Sequence, residues 1–216
     1  MTELTIKSLL KAAADFAPLQ AKHAEPSLFG RNDGKAVGTY LEGRFVAHLL
    51  ERHEFSSGNA ALGIDLPSIN VDIKTTSKRQ PQSSCPYRNA RQKVYGLGYS
   101  LLVFVYEKTD VAKTESAVLK IANTIFIDAE HTADYQLTAT IAEFLARDAT
   151  HEDLAALFMD RNLPLDEIGA TQLAREVLVK PPKQGYLTIS NAQQWRLQYG
   201  HALKKAGQVE GVKRIT

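Results

Sequence analysis

The stretch Ile69-Asn70-Val71-Asp72-Ile73-Lys74-Thr75 alternates apolar and polar residues one for one. A period of two marks a strand with one buried face. Ile69, Val71 and Ile73 fall on that face; Asn70, Asp72 and Lys74 fall on the other. Just upstream, Ala61-Leu62-Gly63-Ile64-Asp65 reads as a shorter strand, and a Pro67-Ser68 turn would bring Asp65 back beside Asp72 and Lys74. Downstream, the polar run from Thr76 to Cys85 reads as a loop. Pro86 suits the first turn of a helix reaching about Tyr95, stopped by Gly96 and Gly98. Ser100-Leu101-Leu102-Val103-Phe104-Val105-Tyr106 is almost wholly apolar, as expected of a central strand buried on both faces, and Val118–Ile127 reads as another strand.

Helical spacing surrounds these strands. Leu9, Leu10, Ala13 and Phe16 mark a helix over about Leu4–Phe16, and Leu41, Phe45, Val46, Leu49 and Leu50 mark one over about Val37–Arg52. Further helices are expected over Asp134–Ala146 and over His151–Met159, the latter with Thr150 and Asp153 placed as a capping box. The tail reads as a helix, a break at Pro181-Pro182, a short strand over Tyr186–Ile189 and a helix capped by Ser190. The expected fold class is α/β in the mixed, α+β sense: a central mixed β-sheet flanked by helices, with a mostly helical C-terminal segment.

The chain has 216 residues and a formal net charge of +2, with 44% apolar and 23% charged residues. That composition supports a folded core and excludes disorder, collagen and coiled coil. No apolar run is long enough to span a bilayer, and Met1–Lys7 lacks the pattern of a signal peptide, so no membrane association is expected. The lone cysteine, Cys85, fits a reducing cytoplasm. The small total charge conceals a segregation. Ile73–Tyr106 carries six bases and no acid, and Thr171–Thr216 carries eight bases and two acids, so each segment has a charge of +6. Glu107–Ala170 carries −8 and Met1–Asp72 carries −2. Two basic segments of this kind suit a polyanion.

Two carboxylates converging at a sheet edge make a hard-oxygen site suited to Mg²⁺, with Mn²⁺ as a substitute. Lys74 beside Asp65 and Asp72 could hold or deprotonate an attacking water and offset charge on a phosphorane-like transition state. Glu42 lies on or beside the apolar stripe of its helix, with no base three or four residues away. A carboxylate so placed calls for a cationic partner or a metal.

Gly63-Ile64-Asp65, a six-residue gap and Asp72-Ile73-Lys74, preceded by a helix bearing Glu42, resemble the PD-(D/E)xK nuclease superfamily. The run Val71-Asp72-Ile73-Lys74-Thr75-Thr76 is particularly similar to type II restriction endonucleases, and the resemblance covers about Lys35–Phe126. Ile64 stands where the superfamily's name has proline. The resemblance implies a restriction-endonuclease-like core and Mg²⁺-dependent hydrolysis of phosphodiester bonds in double-stranded DNA, leaving a 5′-phosphate. It makes Asp65 the chief metal ligand, Asp72 the second, the Ile73 carbonyl a further one, Glu42 an outer acid and Lys74 the residue acting on water. Residues 1–160 would form the nuclease core with its N-terminal helix. Residues 161–216 would form a helical segment for DNA recognition or dimerisation, packed on that core.

Lys35, Thr76, Ser77, Lys78, Arg79, Gln80, Gln82, Ser83, Arg88 and Arg91 are the candidate DNA contacts around the active-site strand. Basic side chains would neutralise phosphates, and Gln or Arg could read base edges. Asn191, Gln193, Gln194 and Arg196, on the helix expected after Ser190, are candidates for a recognition helix. That helix could instead pack into the core or a dimer interface through Trp195, Leu197, Tyr199 and Leu203. A homodimer matches the two-fold symmetry of a palindromic site. A cognate DNA methyltransferase would be the companion by resemblance, in a bacterial or archaeal cytoplasm. A repair or recombination nuclease of the same superfamily and a non-catalytic DNA-binding protein are the other readings. The six histidines lack zinc spacing, Cys85 lacks a catalytic partner, and no glycine-rich phosphate loop is present.

Overall fold

The computed structural model describes residues 1–56, 58, 63–85, 89–190 and 195–216. In chain order its elements begin with β1 (Thr2–Glu3), α1 (Ile6–Gln20), β2 (Ala24–Glu25), α2 (Gly34–Leu50), β3 (His53–Glu54), β4 (Val71–Ser77), β5 (Gln82–Cys85) and α3 (Arg91–Tyr95). They continue with β6 (Ser100–Val111), β7 (Ser116–Ile127), α4 (Tyr135–Leu145), α5 (His151–Asp160), α6 (Glu167–Val179), β8 (Thr188–Ile189), β9 (Trp195–Gln198), α7 (Gly200–Lys205) and β10 (Val212–Arg214). The result is the mixed α/β architecture that the strand and helix patterns imply. The chain divides into two compact units: residues 1–83, 100–127 and 206–216 form the first, and residues 84–99 and 128–205 the second.

In the first unit the strands run in the order β10-β7-β6-β4, with β2 also pairing on β7. β4 is parallel to β6, while β6–β7 and β7–β10 are antiparallel. The apolar run of β6 explains its interior position, since every residue from Leu101 to Tyr106 is buried. Val71 and Ile73 of β4 join Leu102 and Phe104 of β6 in one core with Leu41, Phe45 and Leu49 of α2 and Leu9, Ala13 and Phe16 of α1. Phe45 sits at its centre, 4.9 Å from Phe104 and 5.2 Å from Phe16 between ring centroids. Both helices are capped by side chains: Thr5 and Ser8 form a capping box on α1, and Asp33 accepts the Lys35 N–H at the start of α2.

The segment before β4 departs from the expected strand pair. Residues 59–62 lie outside the described residues, and Gly63–Asp65 is not strand. Instead Pro67–Ile69 makes a 3₁₀ turn, Asn70 takes the left-handed conformation at φ 54°, and Leu66 and Val71 form one antiparallel bridge. Ile69 therefore belongs to the turn and not to the stripe of β4. Among the described residues the expected strand pair is reduced to that one bridge. Likewise, the polar run after Thr76 is not all loop, because β4 extends to Ser77 and Gln82–Cys85 is a strand. The helix expected from Pro86 begins only at Arg91; residues 86–88 lie outside the described residues.

In the second unit α4, α5 and α6 enclose Leu137, Ile141, Leu154, Phe158, Leu173 and Val177. The Thr150–Asp153 capping box is present on α5. Asp134 caps α4 through the Leu137 N–H at 2.9 Å and also accepts the Ile189 N–H at 2.8 Å, tying β8 to that helix. The helix expected after Ser190 is absent from residues 195–198, which form β9 antiparallel to β8. Leu197 and Tyr199 are buried while Arg196 and Gln198 are exposed, a period-two pattern that only a strand satisfies. The Ser190 hydroxyl accepts the Arg196 N–H at 3.0 Å, residues 191–194 lie outside the described residues, and the next described helix starts at Gly200.

Replacing Phe45 with alanine removes the ring that links both helices to β6. Phe45→Ala should lower unfolding stability by about 3–5 kcal/mol, read as a shift in the urea midpoint of the intact chain. A loss below about 1 kcal/mol would contradict this packing.

Candidate active site

Asp72, Ile73 and Lys74 sit on β4, which pairs with β6 along one side and ends the order of the sheet on the other. The 67–70 turn carries Asp65 back to the same place, where its Oδ2 accepts the Ile73 N–H at 2.8 Å. Lys74 Nζ stands 2.7 Å from Asp72 Oδ2 as an ion pair. Asp72 is 2% exposed, and its Oδ2 has no well-directed hydrogen-bond donor. A buried carboxylate oxygen with an unspent lone pair is the feature a bound cation would satisfy.

Glu42 joins this group from α2. Gly38, one turn earlier, approaches β4 so closely that an added Cβ would meet Thr75 Oγ1 at 2.8 Å. This close approach lets Thr75 donate its hydroxyl to Glu42 Oε1 at 3.1 Å. In the sequence Thr75 reads only as the end of the alternating strand; its partner is thirty-three positions away and leaves no local signal.

The electrostatics tie the four side chains together. Burial pushes the Glu42 carboxyl up to about 7, with Asp65 and Asp72 adding to the rise and Lys74 and Thr75 opposing it. Burial also raises Asp72, helped by Asp65 and opposed by Lys74. For Lys74 burial works downward, but Asp72, Asp65 and Glu42 outweigh it, and the ammonium ends above its usual range. Among the described residues no three His, Cys, Asp or Glu side chains form a ready ligand cage. The donor chemistry nevertheless fits a hard divalent cation that keeps part of its water shell, because such ions need few protein carboxylates.

The other sequence candidates fall into distinct situations. Lys35 is exposed in the first turn of α2. The Thr76 hydroxyl is engaged inside the chain, donating to Gln82 O at 2.9 Å and accepting the Gln82 N–H at 2.8 Å. Ser77 accepts the Arg79 N–H, and Lys78 pairs with Glu107 at 2.5 Å. Arg79 and Gln80 are exposed; Gln82 and Ser83 begin β5. Arg91 is held by Glu176 and lies over the Tyr95 ring within the second unit. Arg196 is exposed on β9. Arg88, Asn191, Gln193 and Gln194 lie outside the described residues.

A profile of the family described as type II restriction enzyme NspV matches residues 3–214. The type II restriction enzyme NspV of a Nostoc species is 54% identical over 215 residues, covering 100% of this chain and 98% of that relative. No solved structure matches.

The raised Glu42 pKa has a consequence for stability. Its contribution is fully present below about 4.5 and is lost as pH rises through about 7. In metal-free protein Glu42→Gln should therefore gain on wild type by about 3 kcal/mol between pH 4.5 and 8. Urea unfolding at both pH values measures the gap; a gap independent of pH would show that Glu42 is not held in this environment.

Proposed function

The chain belongs to the family of the type II restriction enzyme NspV, and from that membership we propose how its residues carry out the reaction. The protein is a site-specific deoxyribonuclease that hydrolyses phosphodiester bonds in DNA, which separates it from the repair-nuclease and binding-only alternatives. Enzymes of this type use a divalent metal. The observation that supports a catalytic centre at β4 is the convergence of Asp65, Asp72 and Lys74 at one edge strand, with the Asp72 carboxylate buried there.

Asp65 and Asp72 would hold the cation, with the Ile73 carbonyl as a further ligand and Glu42 ligating directly or through water. Mg²⁺ is the proposed ion and Mn²⁺ its substitute. When bound, the metal supplies Lewis-acid polarisation of the phosphate and a more acidic water. The chain's own residues do the rest. Lys74 is protonated in the metal-free chain, its pKa held up by the carboxylates around it. It is therefore suited to orient the attacking water and to offset negative charge gathering on the phosphoryl oxygens. Thr75 holds Glu42 toward the carboxylate pair through its hydroxyl. Hydrolysis on this plan leaves a 5′-phosphate and a 3′-hydroxyl.

The Thr76–Arg91 segment and Arg196 are proposed to contribute DNA contacts. Cutting both strands of a palindromic site places two copies of the centre on one duplex, which supports a homodimer. A nuclease of fixed sequence preference would also cut its host's DNA unless the same sites were masked, which supports a cognate methyltransferase in the same cytoplasm. No helix among the described residues is long and apolar enough to cross a membrane.

Asp72→Ala and Lys74→Ala should each reduce plasmid cleavage in Mg²⁺ by at least about 10²-fold. Wild-type rates in both variants would remove β4 from the active site. Mapping the ends produced on a long DNA of known sequence should give one repeated site with 5′-phosphates, and light scattering should give the mass of a dimer.

A further inference from the structure

Beyond the acid pair, β4 runs into a groove of about 920 Å³ within the first unit. Its walls come from three places distant in sequence: the Arg31–Asn32 loop before α2, the Ser77–Arg79 end of β4, and the Tyr106–Asp110 end of β6. Four bases and two acids line it, namely Arg31, Lys78, Arg79 and Lys108 against Glu107 and Asp110.

The two acids serve as struts. Glu107 pairs with Lys78 at 2.5 Å, and the Lys78 N–H donates to Tyr106 O at 2.9 Å, so the loop bearing Arg79 is fastened to β6. Asp110 accepts the Gly30 N–H at 3.3 Å and also pairs with Lys108, fastening the loop bearing Arg31 to the same strand. Gly30 adopts φ 69°, which turns that N–H toward the strut. With both acids spent in this way, the groove's surplus positive charge resides on Arg31 and Arg79. Both are exposed, and neither guanidinium has a carboxylate partner among the described residues.

We propose that this groove is a backbone clamp for DNA, in which Arg31 and Arg79 each engage a phosphate flanking the scissile bond. The proposal rests on the reading of β4 as the active-site strand. From Lys74 to Ser77 the strand advances about 10 Å, or roughly three base steps of duplex, so the groove lies where the flanking backbone would pass. Its wall carries six charged side chains and the groove is open to solvent, which fits a polymer lying across it better than an enclosed small molecule. Backbone contact is favoured over base reading by how the arginines are held. Their loops are braced, but among the described residues no hydrogen bond fixes their head groups, and reading a base edge requires a fixed head group whereas a phosphate does not.

The test is duplex binding by fluorescence anisotropy with Ca²⁺ in place of Mg²⁺, across a salt series, for wild type, Arg31→Ala, Arg79→Ala and the double variant. Each single variant should lower the slope of log K against log salt by about 0.9, and the double variant by about twice that. The loss should be equal on cognate and unrelated duplexes, and Arg31→Lys and Arg79→Lys should retain the wild-type slope. An unchanged slope in the double variant, or a loss confined to the cognate duplex, overturns the clamp. Cleavage assays in Mg²⁺ run alongside separate the two levels. If wild type cuts DNA while the double variant keeps its slope, only the clamp fails; if wild type neither binds nor cuts DNA, the nuclease reading fails and takes the clamp with it.

Discussion

The hydrogen bond from the Ile73 N–H to Asp65 Oδ2 is the interaction on which the candidate centre depends. Asp65 has no strand to hold it in place. It arrives through a 3₁₀ turn at Pro67–Ile69 and a left-handed Asn70, and the bond to Ile73 is what converts that reversal into a fixed position beside Asp72. The geometry has a price, visible in the raised pKa values of Glu42 and Asp72: acids are crowded into a half-buried pocket with one lysine among them. Such an arrangement is destabilising for the chain alone and becomes favourable when a cation shares the site.

The position of β4 in the sheet adds a second constraint. An end strand leaves a row of backbone groups open to pairing with another chain, and proteins guard such edges with charge or with covering turns. Here the Leu66–Val71 bridge covers the start of β4, and Asp65 occupies the Ile73 N–H further along it. The same location gives a long rigid polymer access that an interior strand would deny. Edge protection and substrate access are thus met by the same residues, with α2 supplying Glu42 from the buried side through the opening that Gly38 leaves at Thr75.

What could be read from sequence follows the range of the signal. Val71–Thr75, the buried run of β6 and the helices α1, α2, α4 and α5 announce themselves through periodicity, because each buries its own repeating face. The return of Asp65 to the start of β4 is also legible, since only a short turn separates them, although the expected strand pair is a single bridge among the described residues. The stretch after Ser190 was misread because a capping residue and amide side chains suggested a helix, while the burial of Leu197 and Tyr199 that makes it a strand depends on tertiary packing. The Thr75–Glu42 bond left no trace in either local sequence.

Charge illustrates the same limit more sharply. Counting by segment marks Ile73–Tyr106 as an uninterrupted basic surface, yet Lys78 and Arg91 in that segment are neutralised by Glu107 and Glu176 from elsewhere in the chain. Arg31, in a segment that is acidic on balance, keeps its charge free because its neighbour Asp110 is occupied by Lys108 and the Gly30 N–H. A polyanion senses the charge left after internal pairing, not the charge written along the chain. In the proposed clamp the acids of β6 would support DNA binding despite their sign: by binding lysines and a backbone N–H, they hold two loops in place and leave on each an arginine with no carboxylate partner among the described residues.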